Sequence, residues 1–316
     1  MARPKVLAWP IGNREVASSR LRLYAPVAEL ADRFDVHVVE PGSAERVDPA
    51  NLLARADLLF VQKDARPDAL ALAYAAARRG VPVVYDLDDD PGCWPGMDEP
   101  ALLRLATRVI VDSALRAAAV ASWTSTVHPI PCMIDLPDDP ARVLDGPAPP
   151  ASTVVTFGNR SSLEGTRPFL AALRPATTVR VIGPAAARAE FPGVDFRTFA
   201  LDTFVADVRS GGVAVLAHDP VEAPRKDENR LVMALSCRRA AFVAPNPAYR
   251  AVLAGFGGDD LLVETPADLA QALDTAGAAR LAELADAGYE HVWRTHAPAV
   301  ISDRMAEVLT DALDSR

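Results

Sequence analysis

Short apolar runs alternate with helix-like segments along the whole chain, and this alternation limits the fold more than any other feature. Helix-like stretches with apolar residues at helical spacing, such as 20–34 and 67–79, separate the apolar runs. Because the runs are mostly apolar, they predict a parallel sheet that is covered by helices on both faces. The six runs of the first half are 6–9, 35–39, 57–61, 81–85, 108–111 and 126–130.

A proline-rich stretch then interrupts the alternation. Residues 136–150 contain five prolines, which neither a helix nor a strand tolerates, so the stretch is predicted to be a linker. The alternation resumes after it, with strand-like runs at 153–157, 178–182, 213–216 and 241–244. We therefore predict two Rossmann-like, doubly wound α/β domains that face a cleft. Their expected bounds are 1–137 and 153–298, with a linker at 138–152 and a final helix at 299–316 that returns to the first domain.

Composition excludes several classes of protein. The chain carries 33 basic and 42 acidic residues, which gives a net charge of -9. This acidic balance argues against a protein that binds nucleic acid through its phosphates. No run approaches about 18 apolar residues, so stable membrane insertion is not expected. The three cysteines, at 93, 132 and 237, are too widely spaced to suggest a disulfide framework or a zinc site, and they suit a reducing cytoplasm.

The most polar of the predicted loops is Asp86-Leu-Asp-Asp-Asp90, directly after the fourth strand. Ligands of open α/β sheets bind beyond the carboxyl ends of the strands, so these carboxylates would face the cleft. They could bind hydroxyl groups or act in acid–base chemistry, with Asp88 as a catalytic candidate. An Asp-x-Asp pair could instead hold Mg²⁺ or Mn²⁺. A solvated turn that caps the next helix is the third interpretation.

The segment Ser18-Ser-Arg20-Leu-Arg22 opens the first predicted helix. Hydroxyl and backbone N–H groups at a helix N-terminus attract anions, and two arginines would strengthen such a site. The alternative is an ordinary helix cap with surface arginines.

In the second half, Gly158 follows the first strand and would let a phosphate approach the backbone. The absence of G-x-G-x-x-G argues against a dinucleotide cofactor. The charged segment Arg225–Arg230 opens an apolar helix, whose N-terminus carries positive partial charge. This segment would either bind a phosphate or simply form the charged first turn of the helix. His218 follows another strand and is a candidate base.

Five segments, taken in order, resemble GT-B glycosyltransferases, and most closely the retaining group called family 4. A sixth, Leu261-Leu-Val-Glu-Thr-Pro-Ala-Asp-Leu-Ala270, is similar to the segment that follows in that family. The resemblance covers nearly the whole chain. The five segments are Ser-Ser-Arg-Leu-Arg (18–22), Val-Val-Tyr-Asp-Leu-Asp-Asp-Asp (83–90), Ile-Pro-Cys-Met-Ile-Asp (130–135), Lys-Asp-Glu-Asn-Arg-Leu (226–231) and Ala-Pro-Asn-Pro-Ala-Tyr (244–249).

The resemblance implies transfer of a sugar from a nucleotide-sugar to an acceptor, with no cofactor and no obligatory metal. The acidic balance and the lack of a basic cluster favour a small soluble acceptor, as in secondary metabolism. Basic groups and helix dipoles would stabilise the departing diphosphate. The catalytic candidates are Asp88, His218 and Lys226. The acceptor-binding candidates are Arg20, Arg22, Asp86, Asp88 and Asp89. The donor-binding candidates are Gly158, Asn159, Arg160, Arg225, Lys226, Glu228, Asn229 and Arg230.

The sequence departs from the family pattern at four positions. The two phosphate-binding cations that follow the first strand of the second domain match Asn159 and Glu164 here. The two glutamates that the family places eight residues apart match Arg225 and Met233. These departures predict either a divergent transferase with an unusual donor or a non-catalytic GT-B-like binding or partner subunit.

Overall fold

The computed structural model describes residues 2–43, 46, 49–136 and 152–315. Two compact units divide the chain: Met1–Met133 together with His296–Arg316 form the first, and Ile134–Thr295 form the second. The predicted linker lies outside the described residues except for Ser152. No described helix is both long and apolar enough to cross a membrane.

The first unit contains a six-stranded parallel sheet in the order β2-β1-β3-β4-β5-β6. Its strands are β1 (Lys5–Pro10), β2 (Asp35–Val38), β3 (Leu58–Gln62), β4 (Val83–Leu87), β5 (Arg108–Val111) and β6 (Val127–Pro129). The helices between them are α1 (Ala17–Ser19), α2 (Ala25–Glu29), α3 (Pro49–Leu53), α4 (Pro67–Arg78), α5 (Glu99–Leu105) and α6 (Ala114–Val120). A π-helical turn, Arg20–Tyr24, joins α1 to α2.

Alternate residues of each central strand enter two different cores, because successive side chains of a strand point to opposite faces. Leu58 and Phe60 pack beneath the first helix and the last helix of the chain. Leu59 and Val61, from the same strand, pack beneath α4, α5 and α6. Both faces of the sheet are therefore covered, as the apolar runs predict.

The second unit contains a five-stranded parallel sheet in the order β11-β10-β7-β8-β9. Its strands are β7 (Thr153–Phe157), β8 (Thr178–Gly183), β9 (Asp195–Thr198), β10 (Val213–Leu216) and β11 (Ala241–Val243). Its helices are α7 (Arg160–Ala171), α8 (Leu201–Arg209), α9 (Asn229–Ser236), α10 (Pro247–Ala254), α11 (Pro266–Thr275) and α12 (Ala278–His296). Two doubly wound parallel sheets confirm the predicted fold class.

The last helix, α13 (Pro298–Asp314), completes the core of the first unit. Its Ile301, Met305 and Leu309 are nearly fully buried against the first helix and the sheet. An exposed ion pair joins its Asp303 to Arg33, with 2.7 Å between the charged atoms. The first unit is thus built from both ends of the chain.

Candidate functional site

Each sheet has one topological switch point, a pair of neighbouring strands from which successive strands are added in opposite directions. In the second unit this point lies between β7 and β10, since β8 and β9 extend to one side and β11 to the other. Ligands of doubly wound sheets bind beyond the carboxyl ends of the strands at such a point. The residues that follow β7 and β10 are Gly158 and His218, both named from the sequence.

Arg230, in the first turn of α9, joins the carboxyl ends of these two strands. Its Nε donates to the carbonyl oxygen of Phe157 over 2.7 Å, and its Nη1 donates to that of Ala217 over 2.8 Å. Its Nη2 lies 3.4 Å from the Thr166 hydroxyl of α7. One guanidinium group therefore holds together two strand ends and the neighbouring helix.

The charge of Arg230 faces only neutral hydrogen-bond acceptors. Its side chain is buried, and within the described residues no carboxylate forms an ion pair with it. Burial lowers its pKa, while Tyr249 and Asp227 oppose this effect. Buried charges in proteins are normally paired with an opposite charge. The second unit therefore holds, at its switch point, a buried guanidinium that forms no ion pair in the described structure, although Asp227 acts on it from further away.

Glycines bring the backbone close to this guanidinium. Gly158 has a φ of +152°, and a Cβ atom there would lie 3.1 Å from Nε of Arg230. Gly165 of α7 contacts the chain after β10 so closely that a Cβ atom would lie 2.3 Å from the backbone nitrogen of Asp219. Both positions require glycine, because a side chain would separate α7 from the strand ends.

His218 and Tyr249 form the second buried polar pair at this edge. Nε2 of His218 lies 2.9 Å from the Tyr249 hydroxyl, and both residues are buried. Burial, Arg230 and Lys226 lower the pKa of His218 to about 2. The imidazole is therefore neutral in ordinary buffers, and it is a weak base with little capacity for general-base catalysis.

The remaining donor-binding candidates lie at the N-termini of α7 and α9. Asn159 caps α7, its side-chain oxygen accepting from the backbone nitrogen of Ser162 over 2.9 Å. Arg160 is exposed and pairs with Glu164 and Glu190. Lys226 is half-buried and pairs with Glu222 over 3.2 Å.

Three further donor-binding candidates lie in the same charged segment. Arg225 is exposed and Glu228 is buried just before α9. Asn229 is the first residue of α9, and its buried side-chain oxygen has no hydrogen-bond partner in the described structure.

In the first unit, the acceptor-binding candidates Arg22 and Asp86 are each other's partners. The guanidinium group forms two hydrogen bonds with the carboxylate, of 2.7 and 2.8 Å, and also donates to the Ile130 carbonyl oxygen. Both side chains are at most 2% exposed. Burial raises the pKa of Asp86 to about 6, and Arg22 limits that rise. The pair joins the π-helical turn to the end of β4, and its part in acceptor binding stays a prediction.

Asp88 and Asp89 share Lys63, a residue that the sequence interpretation did not include in the site. Nζ of Lys63 lies 3.2 Å from Oδ1 of Asp88 and also contacts the Asp89 carboxylate. Although burial alone would lower it, these two carboxylates raise the pKa of Lys63. Lys63 has a φ of +61°, uncommon for a residue with a side chain. Its neighbour Trp94 is 47% exposed and donates to Asp89 over 2.8 Å.

The rest of the acidic loop is also paired with basic groups. Asp90 contacts Arg116, whose guanidinium also binds Asp112 of the strand end beside it. Across the described ranges, no group of three or more His, Cys, Asp or Glu side chains is placed to hold a metal ion. Arg20 donates to the backbone oxygens of Arg14 and Glu15 at the surface.

Sequence reasoning missed Lys63, Trp94, Gly165 and Tyr249. Lys63 directly follows a predicted strand, so its position beyond a carboxyl end was a usable signal. Tyr249 ends the segment 244–249 that resembles the family, so it also carried a signal. Gly165, within a helix, and Trp94, in an irregular loop, carried none. Their roles depend on contacts with residues far away in the sequence.

No family model matches the chain, and no curated protein matches it in sequence. Solved structures resemble it in fold. One is UDP-N-acetylglucosamine 2-epimerase from Rickettsia bellii, with a TM-score of 0.57, 11% identity, and coverage of 99% of this chain and 98% of that one. Another is a DNA-modifying β-glucosyltransferase studied with uridine diphosphoglucose, with a TM-score of 0.57, 14% identity, and coverage of 98% and 99%.

A third similar structure is the glycotransferase of kitacinnamycin, with a TM-score of 0.55, 14% identity, and coverage of 99% of this chain and 100% of that one. Such neighbours are GT-B enzymes, so the chain has the paired Rossmann-like domains of the GT-B fold. At these identities the likeness shows the fold alone, and the closer resemblance to the retaining family 4 stays a prediction.

Proposed function

We propose that the protein is a glycosyltransferase that moves a sugar from a nucleotide-activated donor to a small soluble acceptor. The anomeric carbon–oxygen bond to the diphosphate breaks, and a bond forms from that carbon to an acceptor hydroxyl or amine. The nucleoside diphosphate leaves with the electron pair, and the acceptor proton passes to a base. The donor binds the second unit and the acceptor binds the first.

The observation that carries this proposal is that Arg230 is buried and forms no ion pair in the described structure. A buried guanidinium at the carboxyl ends of β7 and β10 attracts an anion, and the N-termini of α7 and α9 add positive partial charge at the same edge. The diphosphate of a nucleotide-sugar is such an anion. In a site of low dielectric constant, fixed positive groups stabilise the charge that develops on the departing diphosphate.

Further support comes from the neighbours whose printed names describe glycosyl transfer, since they share the fold over nearly their full length. Retention of the anomeric configuration belongs to the proposal through the resemblance to family 4. So does independence of metal, because the positive groups described above would do the work of a divalent ion. Asp88 is the candidate base on the acceptor side, and Lys226 the candidate second cation on the donor side.

Binding of nucleoside diphosphates, measured by isothermal titration calorimetry, tests the proposal. We expect at least one member of a panel to bind the wild-type protein and Arg230→Met to weaken it at least tenfold, since a charged hydrogen bond contributes about 1.5–3 kcal/mol. Lys226→Ala should weaken it less, because Lys226 is half-buried and already paired. Arg280→Met, which removes an exposed arginine of the same unit, is the matched control.

Turnover of the corresponding nucleotide-sugar with a panel of hydroxyl and amine acceptors then tests transfer, with and without EDTA. Full activity in EDTA is expected, and a product of inverted configuration would contradict the retaining mechanism. Absence of binding to every nucleotide would overturn the proposed function. Binding unchanged by both substitutions would leave a nucleotide-binding protein whose site lies elsewhere.

A non-catalytic binding or partner subunit is the second candidate, and one observation favours it. Met233, at a position where the resemblance expects a glutamate, is 5% exposed and belongs to the apolar core of the second unit. A carboxylate is therefore missing from that turn of α9. Tight nucleotide-sugar binding without transfer to any acceptor, and without release of free sugar, would select this candidate.

A further inference from the structure

One ring nitrogen of His218 has a partner and the other has none. Nε2 lies 2.9 Å from the Tyr249 hydroxyl, whereas the buried Nδ1 forms no hydrogen bond within the described structure. The residue is only 7% exposed. Buried polar atoms without partners are rare in folded proteins, because they lose their bonds to water and gain none in return. Such an atom at a switch point is placed to bond a ligand.

Tyr249 determines which ring nitrogen carries the proton. The Tyr249 hydroxyl is buried, and Nε2 of His218 is its hydrogen-bond partner in the described structure. If Nε2 instead donated to the tyrosine oxygen, the buried tyrosine proton would lose the acceptor that this pair offers, so we assign the tyrosine as the donor to Nε2 of His218. Nε2 is then unprotonated, and the neutral ring carries its proton on Nδ1.

We propose that His218 donates a hydrogen bond from its Nδ1–H to an oxygen atom of the ligand at the β7–β10 switch point. Tyr249 is the positioning residue that fixes this tautomer. The proposal rests on the proposed function, because the ligand oxygen belongs to the nucleotide-sugar, as a phosphate oxygen or as a hydroxyl. His218 thus acts as a fixed neutral donor rather than as a base.

Two neighbouring features agree with a polar ligand at this edge. Asn229, which opens α9, and Asn246, which follows β11, each have a buried side-chain atom without a partner, an oxygen in Asn229 and a nitrogen in Asn246. Asn246 uses its oxygen to cap α10, which carries Tyr249. A ligand with hydroxyl groups both donates and accepts hydrogen bonds, and so matches this set of unpartnered atoms.

The tautomer can be read without any ligand from the ¹⁵N chemical shifts of the His218 ring. We expect a protonated Nδ1 and an unprotonated Nε2 in the wild-type protein, and a mixture of tautomers in Tyr249→Phe, which keeps the ring and removes the hydroxyl. A wild-type ring protonated on Nε2 would overturn the proposal, as would a tautomer unaffected by Tyr249→Phe.

A matched pair of substitutions tests the hydrogen bond itself. The amide nitrogen of His218→Asn lies near the position of Nδ1, whereas that of His218→Gln lies near the position of Nε2. We expect His218→Asn to bind nucleotide-sugar within about threefold of wild type and His218→Gln to bind at least about tenfold more weakly. Equal affinities of the two variants, both verified as folded by circular dichroism, would overturn the proposal.

The choice of titrant locates the ligand oxygen. If His218→Gln already binds inorganic pyrophosphate more weakly than wild type does, the hydrogen-bond acceptor is a phosphate oxygen. If it appears only with the intact nucleotide-sugar, the acceptor is a sugar hydroxyl. A wild-type protein that binds none of these titrants refutes the proposed function, whereas wild-type binding with equal Asn and Gln variants refutes only the role of His218.

Discussion

Arg22 and Arg230 are both buried guanidinium groups, and their partners differ in kind. Arg22 has a carboxylate, Asp86, held by two hydrogen bonds. Arg230 has the backbone oxygens of two strands and a hydroxyl. Removing one residue of a buried ion pair leaves the other with an uncompensated charge. The Arg22–Asp86 pair therefore stabilises the fold only when both residues are present. In the proposed function, an anion completes the arrangement around Arg230, which is a binding residue. The part of Arg22 in acceptor binding stays a prediction.

The raised pKa of Asp86 gives the first unit a specific pH dependence. The folded-state pKa of about 6 exceeds the ordinary value, so the folded protein binds this proton more tightly than the unfolded chain does. The stabilisation that protonated Asp86 provides is present below about pH 4 and is lost as the pH rises through 6. Asp86→Asn cannot titrate. The free energy of unfolding of wild type minus that of Asp86→Asn should therefore fall by about 2–3 kcal/mol from pH 4 to pH 7.

Urea denaturation at a series of pH values measures this difference. Exposed Asp303→Asn serves as the control, and its difference from wild type should vary much less over the same range. A wild-type minus Asp86→Asn difference that is flat with pH, or that rises, would contradict the assignment of the raised pKa to Asp86.

At the scale of elements, the apolar central strands and the edge strands β2 and β6 were predictable, whereas the edge strand β9 was not. The strands around β3, β4, β7 and β10 are buried on both faces, so their sequences are nearly uninterrupted apolar runs. The edge strand β9, Asp195-Phe-Arg-Thr198, pairs only with β8 and is partly exposed, so its pattern did not indicate a strand. The π-helical turn also escaped prediction, because it depends on where Arg22 meets Asp86.

The same distinction applies to the candidate site. That Gly158, His218 and Arg230 follow strands or begin a helix could be read from the sequence. That the Arg230 side chain passes beneath the Gly158 turn could not, since its acceptors come from Phe157 and Ala217, on two different strands. Spacing along the chain does not report which strand ends become neighbours.

The approach of α7 to the end of β10 requires a glycine at position 165. Gly165→Ala should lower the free energy of unfolding by about 1–3 kcal/mol through overpacking, because the new methyl group meets backbone atoms of His218 and Asp219, which cannot rotate away. This loss opposes the gain of about 1 kcal/mol that alanine normally brings to a helix. Chemical denaturation measures the net effect.

Gly277→Ala is the matched control, since a Cβ atom there has no neighbour within 4 Å and its backbone is not left-handed. It should change the free energy of unfolding by no more than about 0.5 kcal/mol. Equal effects of the two alanines would show that α7 can shift without cost, and would weaken the argument that its N-terminus is held in place.

At the scale of the whole molecule, each unit has its own core. The second unit is one continuous segment of the chain, and it lies in sequence between the two segments that form the first unit. The first core contains residues from α13 as well as from the N-terminal region, whereas the second is formed by the intervening residues. A core substitution in α13 should therefore destabilise the first unit only, although α13 directly follows α12 of the second unit in the sequence.

Met305→Ala tests this separation. Met305 is 2% exposed in the core of the first unit, so its truncation should cost about 2–5 kcal/mol. Hydrogen exchange read by mass spectrometry should show faster exchange in β1, β3 and β4 and unchanged exchange in β7 and β10. Exposed Glu307→Ala on the same helix should leave both sheets unchanged. Equal acceleration in both sheets would mean that the units unfold together.

The place of α13 in the first core also has a consequence for synthesis. A ribosome makes the chain from its N-terminus, and domains generally fold as they emerge. The strands of the first unit emerge well before Ile301, Met305 and Leu309, which cover one face of them. The second unit can fold while the first still exposes that apolar face. The first unit therefore stays incomplete until α13 has left the ribosome.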